Sequence, residues 1–308
     1  MRDGSQAPAS SRSRLNVTYL SARSVYDVLE EGIRFLESAG VPEADISAGE
    51  LLSQVLHRPR LSLCLEPDLG VERRHERRFQ ELLAKRAARY PLQYLIQTIP
   101  FRRTLLWVGE GCFIPRPETE VLVDAVLRQV NRPSEPLSVL DVGTGSGNIA
   151  ISLAVERPQW RMTATDISPE ALRYAKANAV RNRVEKQIDF VRAHFWDETC
   201  GRRFDAVVSN PPYLTERELA NLQPEITFEP RIALAGGADG LLFFKRIVGE
   251  AKKVLKKRGF IFFEAGAGQA QTVASLLDAD GFELVAVSRD HAGIERIVSG
   301  RLLNHGSR

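Results

Sequence analysis

Ser138-Val139-Leu140-Asp141-Val142-Gly143-Thr144-Gly145-Ser146-Gly147 runs from a short apolar segment into three glycines at alternate positions, and Asn148 then opens the apolar stretch Ile149-Ala150-Ile151-Ser152-Leu153-Ala154. A strand that ends in a glycine-rich turn and continues into a helix is the opening unit of a βαβ fold, with the turn lying over the strand's carboxyl end. Alternate glycines let the backbone turn tightly and come close to a ligand there. The spacing is GxGxG with Asn148 at the sixth position, which disfavours the dinucleotide fingerprint GxGxxG, and no Gly-Lys-Ser/Thr follows to make a P-loop. About twenty residues further on, a second strand ends in Thr165-Asp166, where a carboxylate can accept both hydroxyls of a ribose. Asp166-Ile167-Ser168-Pro169 also reads as a cap before a helix, so the acid has a structural reading beside the ligand one.

Working outward, strands are predicted at Arg161–Thr165, Ile188–Arg192, Phe204–Ser209, Phe260–Glu264, Glu283–Val287 and Ile294–Ser299, with helices at Gly147–Glu156, Pro169–Arg181 and Gly240–Lys257. Alternating strands and helices imply a parallel sheet covered on both faces, and the last two strands, with no helix between them, should form an antiparallel hairpin. Upstream, Val25, Val28, Leu29, Ile33 and Leu36 recur at helical spacing, with Ser24 placed to cap and Gly40 to stop. A second helix is predicted from Glu43 to His57 and a third from Val71 to Tyr90. The third carries an apolar stripe of Phe79, Leu82 and Leu83 and a basic face of Arg73, Arg74, Arg77, Arg78, Lys85, Arg86 and Arg89, which reads first as solvated charge. Between the two regions, Pro91, Pro100, Pro115 and Pro117 interrupt any long helix, and Thr104–Val108 with Cys112–Ile114 predict a hairpin around Gly109 and Gly111. The expected division is a disordered tail (1–20), a helical docking domain (21–92), a linker with a hairpin (93–116) and an α/β domain (117–303).

Composition narrows the function. Among 308 residues, 42 Lys and Arg face 39 Asp and Glu, a net charge of +3, too small for a chain held to nucleic acid mainly by bulk charge. No apolar run approaches the roughly 18 residues of a spanning helix. Cys64, Cys112 and Cys200 are far apart without ligand spacing, and the histidines are scattered, so neither a disulfide framework nor a metal site is expected, and a reducing, cytoplasmic setting is. Met1 to Arg14 is rich in Ser and Arg with Asp3 its only acid, which raises mitochondrial targeting as a lesser alternative.

The fourth strand ends in Asn210-Pro211-Pro212-Tyr213, at the sheet edge where parallel sheets bind ligands. A planar amide or arylamine nitrogen is a poor nucleophile because its lone pair is delocalised. The Asn210 side-chain carbonyl and the Pro211 backbone carbonyl can accept the two N–H bonds of such an NH2 group. Proline fixes the backbone that presents them, and Tyr213 can pack on a flat substrate. A site built from such acceptors works by positioning more than by a strong base.

An acid-ended strand, a GxGxG loop, a second acid-ended strand and NPPY together resemble the class I methyltransferases that use S-adenosylmethionine. The resemblance implies a Rossmann-like seven-stranded sheet with an antiparallel terminal hairpin, preceded by the small helical domain. It implies cofactor contacts from Asp141, Gly143, Thr144, Gly145, Ser146, Gly147, Asp166, Phe195 and Asn210, and substrate contacts from Asn210, Pro211, Pro212 and Tyr213, of which Asn210, Pro211 and Tyr213 are the catalytic set. The adenine is expected near His194-Phe195-Trp196, although His194 stands where an acid is usual. Phe113-Ile114-Pro115-Arg116-Pro117-Glu118-Thr119-Glu120, Pro91-Leu92-Gln93-Tyr94-Leu95, Phe228-Glu229-Pro230-Arg231-Ile232-Ala233-Leu234, Phe263-Glu264-Ala265-Gly266 with Gln269, and Arg289-Asp290 with Gly293 and Arg296 resemble the release-factor glutamine methyltransferases, the PrmC/HemK family. Gln97 departs from that pattern, which usually has glycine there. The family implies N5-methylation of the glutamine in the Gly-Gly-Gln loop of class 1 peptide chain release factors, a protein rather than a nucleic-acid substrate; a monomer is expected. A ribosomal-protein glutamine methyltransferase and an adenine-N6 methyltransferase are the alternatives.

Overall fold

The computed structural model describes residues 23–130, 134–195 and 201–303. The predictions for the tail 1–20, the targeting segment, Trp196, Cys200 and the end from Asn304 lie outside the described residues. Two compact units are present, one ending at Ala84 and the other beginning at Lys85.

The first unit contains β1 (Arg23–Ser24), α1 (Val25–Ser38), α2 (Ala44–Leu56), α3 (Arg60–Leu65), β2 (Gly70–Val71) and most of α4 (Arg73–Ala87). Ser24 caps α1 as predicted, its Oγ accepting the Asp27 N–H at 3.1 Å. Gly40 closes the helix with φ +68°, a conformation glycine adopts without a Cβ penalty, and its N–H donates to the Glu37 carbonyl at 2.9 Å. Val25, Val28 and Leu36 are buried on one stripe of α1. Gly32 lies on the same face because a Cβ there would sit 2.7 Å from the Phe79 ring of α4. The six-residue α3 after Pro59 was not predicted, since so short a run carries too little periodicity.

The second unit opens with α5 (Leu92–Ile96), β3 (Thr98–Phe101), β4 (Thr104–Trp107) and α6 (Glu118–Gln129). Here the predicted hairpin is corrected. Thr104–Trp107 is a strand, but its partner is Thr98–Phe101 and the turn is Arg102-Arg103, not the glycines. Arg102 takes φ +50° and is held there by tertiary bonds: its N–H donates to Glu120 Oε1 at 2.9 Å and its guanidinium to Asp124 and Glu156 at 2.7 and 2.6 Å. Cys112–Ile114 forms no strand because its backbone groups find other partners. The Cys112 carbonyl accepts the Tyr94 hydroxyl at 2.6 Å, and the Ile114 N–H donates to Glu229 Oε2 at 3.0 Å. Gln97, at the end of α5, has φ +61°, which explains why glycine suits that position. The basic face read on the third helix is exposed at Arg73, Arg74, Arg77 and Arg78, whereas Arg86 is buried and, with Arg89, holds Glu225 at 2.9 and 2.7 Å. These two guanidiniums hold the Glu225 carboxyl down to about 2, against the opposing effect of its burial.

Next come β5 (Ser138–Val142), α7 (Asn148–Glu156), β6 (Arg161–Asp166), α8 (Pro169–Arg181), β7 (Ile188–Arg192), β8 (Phe204–Ser209), α9 (Glu216–Leu219), α10 (Leu242–Ala251), β9 (Leu255–Glu264), α11 (Ala270–Ala279), β10 (Phe282–Arg289) and β11 (Glu295–Leu302). One seven-stranded sheet results, in the order β10-β11-β9-β8-β5-β6-β7. β5 pairs in parallel with β6 and β8, and β11 runs antiparallel between β9 and β10, as the predicted terminal hairpin requires. The helix predicted over Gly240–Lys257 is shorter than expected: it ends at Ala251, and Leu255 already pairs with Phe204 in the sheet. Burial of Leu255 and its pairing in the sheet override the helical preference of Leu255-Lys256-Lys257. The sheet's faces bury separate cores, one with Val126, Ile151 and Trp160, the other with Phe244, Val273 and Phe263. The order of strands reverses between β5 and β8, so the loops after them open into one crevice.

Candidate active site

The glycine loop leaves β5 with Gly143, Gly145 and Gly147 all at positive φ, between 56° and 85°. A Cβ on Gly143 or Gly145 would meet nothing within 4 Å, so the backbone faces an open cradle; on Gly147 it would strike Ile151 at 2.8 Å. Thus two glycines expose the turn and the third lets α7 pack. Asp141 is fully buried behind the loop. Its Oδ2 accepts the Thr144 hydroxyl at 2.6 Å and the Ala150 N–H at 3.2 Å, tying the turn to the first turn of α7. Burial pushes this carboxyl up to about 7 against those hydrogen bonds. Asp166, at the end of β6, accepts the Gly145 N–H on Oδ2 and the Ser168 N–H on Oδ1, both at 2.9 Å. It therefore serves both readings of the sequence: it caps the approach to α8, and it holds the loop while lining the cavity. Burial raises its pKa and the backbone N–H bonds oppose that rise. Sequence reading missed Asn178 of α8, whose Nδ2 donates to the carbonyls of Ser146 and Trp107 at 3.0 and 2.9 Å, bracing the loop against β4.

One cavity of about 330 Å3 joins the glycine loop to the NPPY turn. Gly143, Thr144, Gly145, Ser146, Asp166, Phe195, Asn210, Pro211, Pro212 and Tyr213 all line it, whereas Asp141 and Gly147 stand behind. Phe195 takes φ +69° and packs at ring-centroid distances of 4.7 Å from His194 and 6.0 Å from Phe243, with the Arg246 guanidinium 4.7 Å from its ring. Together with Ile167 and Ala193 it gives one end of the cavity an apolar surface suited to a flat ring.

At the other end, Asn210 follows the last residue of β8, and its Nδ2 donates to Thr119 Oγ1 of α6 at 3.1 Å. Tyr213 is pushed up to about 12 by burial, with the Glu264 charge adding to the rise, so it is a neutral phenol at physiological pH and no base. Its carbonyl accepts Gln269 Nε2 at 3.0 Å, while Gln269 Oε1 accepts the Gly266 N–H at 3.0 Å. The Phe263–Gly266 and Gln269 motif is thus a brace for NPPY. Likewise Arg116 of the Ile114–Glu120 motif pairs with Glu229 of the Phe228–Leu234 motif, which is buried. Asp290 accepts the N–H groups of Ala292 and Ile294 at 2.9 Å and Arg296 Nε at 2.8 Å, so the last motif shapes the β10–β11 turn. Gly236, unremarked in the sequence, is demanded by the turn: a Cβ there would lie 2.6 Å from Tyr213 Cα and 2.9 Å from the Pro212 carbonyl oxygen. Gly236→Ala is expected to shift NPPY and lower kcat by about 10²-fold, as a displacement near 1 Å can, in a protein that still melts cooperatively. Wild-type turnover in the purified variant contradicts this.

The reversed strand order, the open glycine cradle and the acid-ended second strand define a class I S-adenosylmethionine-dependent methyltransferase fold. A family model described as "Methyltransferase small domain" matches residues 118–274, and one described as "PrmC N-terminal domain" matches residues 27–96. The release factor glutamine methyltransferase of Geobacter sulfurreducens is 36% identical over 280 residues, covering 91% of this chain and 97% of that protein. Its counterpart in Cereibacter sphaeroides is 38% identical over 280 residues, covering 90% and 98%. The chain belongs to the release factor glutamine methyltransferase family. Among solved structures, the hMettl16 catalytic domain in complex with a MAT2A 3′UTR hairpin matches 66% of this chain and 77% of its own, with 17% identity and a TM-score of 0.51, which reflects the shared fold alone.

Proposed function

We propose that this chain methylates N5 of the glutamine side chain in the Gly-Gly-Gln loop of class 1 peptide chain release factors, using S-adenosylmethionine. The observation that carries this reading is that the glycine cradle and the NPPY turn line one continuous cavity. When bound, the cofactor supplies an electrophilic sulfonium methyl. The residues present suit it. Gly143 and Gly145 leave room for the amino-acid portion, the Asp166 carboxylate retains lone pairs for ribose hydroxyls after accepting one backbone N–H on each oxygen, and Ile167 and Phe195 offer apolar faces to adenine. Asp141 acts from behind, fixing the loop without touching the ligand.

Toward the substrate, Asn210 Oδ1 and the Pro211 carbonyl accept the two amide hydrogens and hold the nitrogen in line with the methyl. Tyr213, neutral and braced by Gln269, packs on the planar amide. No residue need remove a proton before transfer, because the methylated nitrogen would shed its extra proton to water afterwards, and orientation of this kind can contribute about 7 to 11 kcal/mol of barrier reduction. The helical region 21–92 would dock the body of the release factor, with 93–116 setting the reach to the cavity, which it also lines at Gly111, Phe113 and Arg116. The reaction is assigned to a monomer in the cytoplasm.

Incubation with labelled S-adenosylmethionine tests the substrate. A class 1 release factor should be labelled and its Gln→Ala variant in the Gly-Gly-Gln loop should not. Equal labelling of the variant, or transfer only to a ribosomal protein or to adenine in nucleic acid, overturns the assignment.

A further inference from the structure

Asn210 has a two-fold ambiguity that the proposed chemistry cannot tolerate. Its amide must present oxygen to the substrate NH2; turned over, it would present N–H to N–H. The parallel register pairs Ser209 with Phe263, so the next residues on the two strands, Asn210 and Glu264, sit side by side at the carboxyl edge of the sheet. Glu264 is 1% exposed, and its Oε2 has no hydrogen-bond partner among the described residues. Thr119 stands at the same spot: its Oγ1 accepts Asn210 Nδ2 at 3.1 Å, and the polar side chains of Thr119 and Asn210 both favour the charged form of the Glu264 carboxyl beside them. Among the described residues no donor reaches Asn210 Oδ1.

We infer that Glu264 and Thr119 are positioning residues that fix the orientation of the Asn210 amide. A carboxylate only accepts hydrogen bonds, so it selects the amide face that carries hydrogens. Thr119 relays the same preference, giving its hydroxyl hydrogen to Glu264 and keeping its lone pair for Asn210 Nδ2. Both hydrogens of the amide are then committed away from the cavity and Oδ1 is turned into it. Burial pushes Glu264 up to about 7, opposed by Thr119, by Arg296 of β11 and by Asn210, and reinforced by Glu118 of α6. Once protonated, Glu264 carries a hydrogen of its own, which competes for Thr119 Oγ1 and removes the preference. Turnover therefore rises with pH through the neutral range and is lost below it, although the glutamine substrate has no titrating group.

The proposal rests on glutamine methylation for its kinetic readout and stands apart from it in a spectroscopic one. In the full chain labelled with 15N-asparagine, the Asn210 side-chain N–H signals, assigned by their loss in Asn210→Ala, should shift with pH as Glu264 titrates and should stay constant in Glu264→Gln. Thr119→Val should lower kcat about 10- to 100-fold with KM and cofactor affinity within about threefold, the signature of an interaction that matters in the transition state, and Thr119→Ser should restore it. Glu264→Gln should abolish the acid limb of kcat. Unshifted Asn210 signals across the neutral range, an acid limb that persists in Glu264→Gln, or wild-type kcat in Thr119→Val each overturn the inference. If the Asn210 signals respond as described while no release factor is methylated, the coupling stands and the substrate assignment fails.

Discussion

Asn210→Ala is expected to lower kcat for glutamine methylation by about 10²- to 10³-fold in a protein that folds and still binds cofactor, an effect on the scale of removing one preorganised hydrogen-bonding group from an active site. The reason lies in the substrate. An amide nitrogen becomes nucleophilic only in the geometry where its lone pair leaves conjugation, and two acceptors, one on Asn210 and one on the Pro211 backbone, define that geometry. With one of them gone, the NH2 group rotates about its remaining contact and the nitrogen leaves the line of attack. The fold tolerates the change because Asn210 lies at a strand end, where the variant gives up the bond to Thr119, worth about 1 kcal/mol, together with the inferred contact to Glu264. Single-turnover kinetics with bound cofactor separate this effect from binding, and near-normal turnover contradicts the role given to Asn210.

Asp166→Ala is expected to weaken S-adenosylmethionine binding by about 10²- to 10³-fold, because hydrogen bonds to a charged group contribute about 1.5 to 3 kcal/mol each and the variant forfeits more than one. One loss is direct, the acceptor for ribose hydroxyls. The other is preorganisation: without Asp166 Oδ2 the Gly145 N–H loses its partner and the cradle is no longer held to β6. Equilibrium dialysis with labelled cofactor measures the change, and affinity within about threefold of wild type rules out the assignment.

The strand and loop from Ser138 to Gly147 were legible because their chemistry is local: apolar residues, then glycines that the turn itself requires at positive φ. The same holds for Asn210–Tyr213 and for the Ser24 cap. Illegible features depend on partners distant in the chain. Arg102 occupies a hairpin turn that propensity assigns to Gly109 and Gly111, because Glu120, Asp124 and Glu156 converge on it from two helices. Cys112–Ile114 has the composition of a strand, yet Tyr94 and Glu229 satisfy its backbone groups. Thr119 and Glu264 were visible as members of motifs but had no assignable task, since only the sheet register and the placement of α6 bring them to Asn210. Asp141 was read as a cofactor contact from its place before the loop, and its position inside the turn follows from α7 folding back on β5.

The most direct measurement is peptide mapping by mass spectrometry of a class 1 release factor incubated with this protein and S-adenosylmethionine. A single added methyl group on the glutamine of the Gly-Gly-Gln loop is the predicted result. A release factor left unmodified under conditions where the cofactor is bound, or a methyl found on any other residue, contradicts the account.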